Sequence, residues 1–423
     1  MHELYLRELV DYIKDNKPGK DELSKFKIKL CAKHKVRAMP SDIEVLTSLN
    51  HDDALLLVQY LQTKPVRSQS GVAVVAVMTK PRKCPHGKCS YCPGGPKSYF
   101  GNVPQSYTGM EPATRRAMRN NFDPYLQVFN RLEQYVASGH FPQKIELIVM
   151  GGTFPAYPLK YQKQFVTYLF KALNDFSRFF VNGKLDLPRF KVFFELPGKL
   201  DDEKRAQSIR KKVLALKSNS DLLKEQRRNE TAFVRCVGLT IETRPDYATQ
   251  SHADLMLELG CTRIEMGVQS LSDEVLRKVD RGHTVCDTIA ATKVLKDLGF
   301  KINYHMMLGL PGSNPKEDIQ MFRKLFSDSA FQPDMLKIYP CMVLKGTRLF
   351  DQYNAGEFVP MTTEVAAATI AEIKQYVPEY VRIMRVQRDI PTDVCVAGVD
   401  RTNLRQYIHD KKVDCSCIRC RQA

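Results

Sequence analysis

The hydrophobic pattern of this chain changes character near residue 70. Before it, Leu4, Leu6, Leu9, Val10 and Ile13 recur at helical spacing, so residues 1–65 read as a small helical region. After it, short runs rich in Val and Ile alternate with helical stripes. Candidate strands fall at 72–78, 145–150, 191–195, 234–242, 262–268, 301–307 and 334–339. Helical patterns at 161–176, 252–259, 287–298 and 315–326 lie between most of them. This alternation predicts an α/β fold with a parallel sheet and helices outside. Six or seven such units predict a full or partial (β/α) barrel, whose chemistry would sit at the C-terminal ends of the strands. Another stripe at 364–376 predicts a further helix, and beyond residue 380 the pattern is irregular. The longest apolar run, 71–78, is too short to span a bilayer, so no membrane partner is expected.

Charge adds a partner class. Lys and Arg total 64 against 47 acidic residues, a formal +17, and a field of that sign favours a polyanion. A generically basic surface is the alternative, and composition does not separate RNA from DNA. Lys14, Lys17, Lys20, Lys25, Lys27, Lys29, Lys33, Lys35 and Arg37 crowd the N-terminal region against only Asp15, Asp21 and Glu22. From this run Lys25, Lys27, Lys29, Lys33, Lys35 and Arg37 are candidate RNA contacts; a solvated helix face is the bland alternative. Residues 176–231 carry Lys199, Lys204, Arg205, Arg210, Lys211, Lys212, Lys217, Lys224, Arg227 and Arg228, and read as a partly helical insertion that adds to the basic surface. The start of the chain lacks a signal-peptide pattern, which makes the cytoplasm the default expectation. A length of 423 residues allows two or three domains.

Cysteine placement supplies the chemistry. Six of the twelve cysteines are scattered singly and are expected in the core, the usage of a reducing compartment with metal sites. Cys84, Cys89 and Cys92 form C-x4-C-x2-C in a loop after the first strand. Three thiolates so placed can hold three irons of a [4Fe–4S] cluster and leave the fourth open to a small molecule. Tyr91 and the Pro93-Gly94-Gly95 that follows match the radical S-adenosylmethionine (SAM) pattern, in which the methionine end of SAM chelates that iron. A zinc knuckle and free thiols are the alternatives. Gly151, Gly152 and Thr153 close the second strand, where glycine lets a ligand approach the backbone; in radical SAM barrels this strand end meets the SAM amino group. Glu242 and Arg244 end the next strong strand, and Glu265 and Gln269 the one after. Such carboxylates and amides can accept from a ribose hydroxyl or an amino group, and Arg244 can meet a carboxylate. Salt bridging within the barrel mouth is the other possibility for each. His305 reads as a polar core residue, and no single catalytic residue stands out. The chemistry these parts support is reductive cleavage of SAM, giving a 5′-deoxyadenosyl radical that abstracts hydrogen. Cys415, Cys417 and Cys420, flanked by Lys411, Lys412 and Arg419, form a second thiolate group. Zinc fits it, with His409 or Asp414 as candidate fourth ligand; an auxiliary iron–sulfur cluster and free thiols are the rivals.

From about Lys64 to Arg421 the chain resembles elongator protein 3, the catalytic subunit of Elongator, particularly its archaeal form. The resemblance is carried by 70–78, Cys84-Pro85-His86, 91–96, 105–109, Glu111-Pro112, 148–154, 240–247, 267–270, Arg281-Gly282-His283-Thr284 and 385–391. It implies a radical SAM barrel at 66–380, a helical basic tRNA-binding region at 1–65, and a zinc-binding linker at 381–423. It also implies an acyltransferase-class enzyme, a tRNA carboxymethyluridine synthase, that builds a carboxymethyl group on C5 of the wobble uridine from SAM and acetyl-CoA. On the family pattern Cys84, Cys89 and Cys92 hold the cluster, Lys144 is associated with acetyl-CoA, and Cys415, Cys417 and Cys420 bind zinc. A homodimer or Elongator-like subunits are candidate partners. The first cysteine gap is four residues, against three in most radical SAM enzymes. Family members continue into an acetyltransferase-like domain, and the sequence stops at Ala423. That domain is therefore expected to be absent, which would leave this chain incomplete for the full reaction. Two other readings are a non-catalytic tRNA-binding scaffold with a structural cluster, and another radical SAM reaction such as methylthiolation, which needs a second cluster.

Overall fold

The computed structural model describes residues 3–198, 202–411 and 413–422. Lys199 and Lys412, counted above among the basic residues, lie outside them. The chain divides into two compact units, one of residues 1–75, 124–146 and 166–237, the other of 76–123, 147–165 and 238–423.

The first unit opens with four helices: α1 (Glu3–Asn16), α2 (Lys20–Lys33), α3 (Asp42–Ser48) and α4 (His51–Leu61). Tyr5, Leu9, Val10 and Ile13 of α1 pack with Leu23 and Leu30 of α2 and with Val45, Leu57 and Leu61 in one core. The expected stripe shifts by one position: Leu4 is 57% exposed and Tyr5 takes its place, because Tyr5, Leu9 and Ile13 share a helix face at i, i+4, i+8. Ser41 caps α3 through a reciprocal capping box with Glu44.

Lys27 corrects the charge expectation. Its side chain is buried and its Nζ lies 3.1 Å from Asp42 Oδ1, so it holds α2 to the start of α3 and does not face a phosphate. Lys33 is exposed but pairs with Glu8 at 2.8 Å. Lys25, Lys29, Lys35 and Arg37 are exposed.

Of residues 191–195, expected as a strand, 191–194 belong to a helix, Leu187–Phe194, and Glu195 caps its end. Asp186 caps it by accepting from the Arg189 amide, Pro188 sits in its first turn, and Phe190 and Phe194 are buried one turn apart while Val192 is 78% exposed. The aromatic run has a period of four, not two. Two more helices follow, Glu203–Leu216 and Leu222–Thr231. Several cations of this region are neutralised internally. Arg205 is buried, donating to Glu133 and to the Phe194 carbonyl (2.6 Å). Arg228 pairs with Asp175 at 2.7 Å, and Lys212 with Glu195 at 2.7 Å.

The main sheet has seven strands: β1 (Val72–Met78), β2 (Lys144–Met150), β3 (Arg235–Thr243), β4 (Arg263–Gln269), β5 (Lys301–Leu308), β6 (Met335–Pro340) and β7 (Arg382–Arg385). They lie side by side in chain order, and every pair from β3 onward is parallel. β1 and β7 are the two ends of the order and do not pair, so the sheet is a partial barrel. Helices Gln250–Glu258, Val285–Asp297, Pro315–Ser327 and Thr363–Gln375 link successive strands of the second unit. Their starts are local to the sequence: Thr284 forms a capping box with Asp287, and Asn314 accepts from the Lys316 and Glu317 amides. β7 was not expected, because its four residues carry Arg at both ends and leave only Ile383 fully buried. Among the described residues no helix is long and apolar enough to cross a membrane. Of the single cysteines, Cys261 and Cys341 are buried as expected, whereas Cys286 is exposed.

Glu133 and Arg205 are both buried, so Glu133→Ala leaves a guanidinium without its counter-charge. The expected loss is about 3–5 kcal/mol of unfolding free energy, read from urea titrations.

Candidate active site at the C-terminal edge of the sheet

The cysteine loop is anchored at several points within the second unit. Where β1 ends, the Thr79 amide donates to the Met150 carbonyl at 2.9 Å, tying the loop's start to the end of β2. Further on, the Ser90 amide donates to the Val279 carbonyl (3.0 Å) and the Leu349 amide to the Ser90 carbonyl (2.9 Å). A tight turn closes through the Cys92 amide and the Cys89 carbonyl at 3.0 Å. Two glycines permit this packing. A Cβ on Gly94 would lie 2.3 Å from the Pro104 carbonyl oxygen, and one on Gly151, at φ +125°, would lie 2.2 Å from Thr79 Oγ1.

Cys89 and Cys92 are buried in a cluster with Val275, Val279, Met307, Leu310 and Leu349; Cys84 is half-buried. Basic side chains face these thiols. His86 Nε2 lies 3.2 Å from Cys89 Sγ, and Arg281 Nη1 lies 3.7 Å from the same sulfur. Arg244 contacts His86 Nδ1. Burial, followed by the charge of Cys92, pushes the Cys84 thiol up to about 11, and burial also raises Cys92. Burial and the neighbouring Arg244 and Arg281 push His86 down to about 3. In the same way His283 is pushed down to about 2, by burial and then by Arg281 and Arg244. The donor set fits a multinuclear centre. Cys89 and Cys92 sit in an apolar wall with cations opposite, and with the half-buried Cys84 they do not form, among the described residues, the compact triplet that a single ion requires. A cubane, which puts each thiolate on a different iron, needs wider spacing. A bound metal would also reverse the proton affinity of the thiols by coordinating them as thiolates.

Beside the thiols, the strands carry a polar layer set by register. Glu242 of β3 stands opposite Glu265 of β4, Glu265 opposite Asn303 of β5, and His305 of β5 opposite Lys337 of β6. Glu242 accepts from the Tyr107 hydroxyl at 3.0 Å and from the Gly151 amide at 3.1 Å. Glu265, 1% exposed, is bound by Lys337, by His305 Nε2 at 3.0 Å and by Asn303 Nδ2 at 3.3 Å. The two carboxyls are driven apart. Burial and then the charge of Glu265 raise Glu242. Burial would raise Glu265 too, but the charge of Lys337 and the hydrogen bond from His305 prevail and hold it well below the usual carboxylate range. Burial and Lys337 in turn push His305 down to about 4. Arg244 is bidentate to Asp246, at 2.8 Å for both contacts, so its carboxylate partner here is internal.

Of the residues expected to hold SAM, Gly151, Gly152, Thr153, Glu242, Arg244, Glu265 and Gln269 therefore lie at the C-terminal ends of β2, β3 and β4 or within that polar layer. Lys144 is exposed and begins β2, at the end of the strand away from Gly151. His305, read as a polar core residue, is half-buried and hydrogen-bonded to Glu265. Arg281, His86, Tyr107 and Lys337 were not expected. Lys337 and Tyr339 occupy alternate positions of β6, a period-two signal in which a buried lysine was the clue.

Near the end of the chain, the sulfurs of Cys415, Cys417 and Cys420 lie within 4.8 Å of one another, close enough for one ion. His409 and Asp414 do not join that group. Hydrogen bonds from Cys415 and from the Cys420 and Ile383 backbone bring Cys417 down to about 4.

The chain matches the ELP3 N-terminal domain family over residues 3–69, the Radical SAM superfamily over 78–325, and the Radical_SAM C-terminal domain family over 333–412. It is 43% identical over 387 residues to a Methanocaldococcus infernus protein named tRNA uridine(34) acetyltransferase, covering 90% of this chain and 65% of that protein. A Methanocaldococcus jannaschii protein of the same name is 43% identical over 421 residues, covering 98% of this chain and 70% of that protein. Elongator complex protein 3 of Saccharomyces cerevisiae is 37% identical over 427 residues, covering 98% and 69%. The solved structure of the archaeal Methanocaldococcus infernus Elp3 with an N-terminal deletion aligns with a TM-score of 0.63 at 38% identity, over 83% of this chain and 66% of that one. The chain thus spans about two thirds of the length of these relatives. With its N-terminal helices, its partial barrel and its three-cysteine loop all matched, the chain belongs to the elongator protein 3 family of the radical SAM superfamily.

Proposed function

We propose that this chain is the radical SAM part of an enzyme that modifies the wobble uridine of tRNA, building a carboxymethyl group on C5 from acetyl-CoA. The three-cysteine loop at the C-terminal edge of the sheet, with Cys89 and Cys92 buried and Cys89 faced by His86 and Arg281, carries this proposal. The archaeal relatives named tRNA uridine(34) acetyltransferase support the choice of uridine 34.

Cys84, Cys89 and Cys92 would hold a [4Fe–4S] cluster, which when bound supplies the single electron that opens SAM. The side chains around it have their own tasks. Gly151 and Gly152 leave a strand end without side chains, against which an amino group fits. Glu242 is hydrogen-bonded to the Gly151 amide and offers acceptors for that amino group or for a ribose hydroxyl. Glu265, held ionised by Lys337, keeps a fixed negative charge in the interior, and Thr153, Arg244 and Gln269 frame the same strand ends. Val275, Val279, Met307 and Leu310 exclude water from the thiols, which protects a reactive radical from side reactions. Lys144 is the proposed contact for acetyl-CoA, by family pattern alone.

Cys415, Cys417 and Cys420 would bind one zinc ion, since their compact spacing suits a single tetrahedral centre better than a second cubane. Of the candidate RNA contacts, Lys27 is buried and Lys33 pairs with Glu8, whereas Lys25, Lys29, Lys35 and Arg37 are exposed and would contact tRNA phosphates.

After anaerobic reconstitution with iron and sulfide, the chain is expected to release 5′-deoxyadenosine from SAM on addition of dithionite. Cys89→Ala should reduce this to the level seen without protein. Equal release by both proteins ends the enzymatic proposal; tRNA binding with no release by either leaves the scaffold reading.

Binding of tRNA should weaken linearly in log–log plots against salt. Replacing Lys25, Lys29, Lys35 and Arg37 together by Gln should make that slope shallower by about 3–4, roughly one per phosphate contact removed. Lys27→Gln should leave the slope unchanged and lower the thermal midpoint instead.

A further inference from the structure

Arg281 is buried, 8% exposed, yet among the described residues its hydrogen bonds go to no carboxylate. Nη1 reaches Cys89 Sγ at 3.7 Å, Nη2 donates to the Gly267 carbonyl, and Nε has no hydrogen-bond partner. A buried guanidinium without counter-charge is costly unless something anionic meets it. The chain also makes room for it: a Cβ on Gly267 would lie 2.5 Å from Arg281 Nη2. The next residue, Gly282, lets the backbone pass His86, where a Cβ would lie 2.7 Å from the His86 Cβ. Gly267 thus gives the guanidinium its room, and Gly282 admits His86, the other basic group against the sulfur of Cys89.

We propose that Arg281 is a positioning residue that sets the reduction potential of the proposed cluster, donating a charged hydrogen bond to Cys89 Sγ and favouring the reduced state. A cubane on three thiolates carries net negative charge, and reduction adds one more. A fixed guanidinium in a dry pocket therefore stabilises the reduced form more than the oxidised form and raises the potential. Arg suits this better than Lys, because its planar fork holds the Gly267 carbonyl with one nitrogen while presenting another to sulfur. No covalent step is involved; the one electron comes from the external reductant.

The inference rests on the cluster assignment, and the test separates the two. Wild-type chain, Arg281→Gln and Arg281→Lys are reconstituted anaerobically, their iron and sulfide measured, and the cluster titrated with redox mediators while its reduced-state electron paramagnetic resonance signal is followed. Arg281→Gln at full iron content should show a more negative midpoint, and Arg281→Lys a midpoint between that and wild type. A residue that only packs would leave the midpoint where it was. Equal midpoints at equal iron content overturn the proposal while leaving the cluster intact. Loss of iron from both variants also overturns it, making Arg281 a structural strut. A wild-type chain that holds no cluster removes the cluster assignment and this inference together.

Discussion

The thiols of the cysteine loop, two of them buried, lie against the basic groups of His86, Arg244 and Arg281, and the second unit is organised around that juxtaposition. Separately, each group is badly placed. Burial raises the Cys84 and Cys92 thiols, and a buried guanidinium without a carboxylate has lost its hydration for one sulfur and one carbonyl. Together they would supply the two halves of the proposed site, thiolates to hold an anionic metal–sulfur centre and cations to face it. Close approach is enforced by backbone: Gly94, Gly151, Gly267 and Gly282 all stand where a side chain would collide with a neighbouring segment. The loop is held by amide–carbonyl bonds to segments that are remote in sequence, near Val279 and Leu349, so its shape depends on the whole unit having folded.

The polar layer beside it follows the same logic with opposite sign. Parallel pairing puts Glu242 and Glu265 on neighbouring strands at one level, and two like charges so close cannot both be comfortable. Lys337 and His305 settle the matter in favour of Glu265, leaving Glu242 the more readily protonated. Two chemically identical carboxyls thereby acquire different roles from their partners alone, one a fixed charge and the other a hydrogen-bonding group linked to Tyr107 and the Gly151 amide. A buried ion pair of this kind adds little stability, and its value lies in fixing where charge sits.

In the first unit, much of the positive charge is already spoken for. Lys27, Lys33, Arg205, Lys212 and Arg228 all have carboxylate partners within the unit. Each such pair cancels one charge of either sign, so the formal +17 is unaltered and is carried by the remaining cations. Among the exposed cations left for a polyanion are Lys25, Lys29, Lys35 and Arg37, on and just after α2.

Much of this was legible in order along the chain. The alternation of apolar runs and helical stripes is a local property, and it marked β1, β2, β3, β4, β5 and β6. The C-x4-C-x2-C spacing and the glycine pair closing β2 are equally local, and they marked the loop and the strand end that matter. Where periodicity failed, it failed for physical reasons. The aromatic cluster of Leu187–Phe194 has strand-like composition but is capped by Asp186 and buries Phe190 and Phe194 a helical turn apart. β7 is too short and too charged to announce itself. Covalent order thus determined which strands exist, which cysteines stand close together, and the family to which the chain belongs. Only the tertiary structure decided that Arg281, Arg244 and His86 meet those cysteines, that Lys337 takes Glu265, and that Lys27 is lost to the interior, because partner choice among charged groups depends on packing and register between segments far apart in sequence.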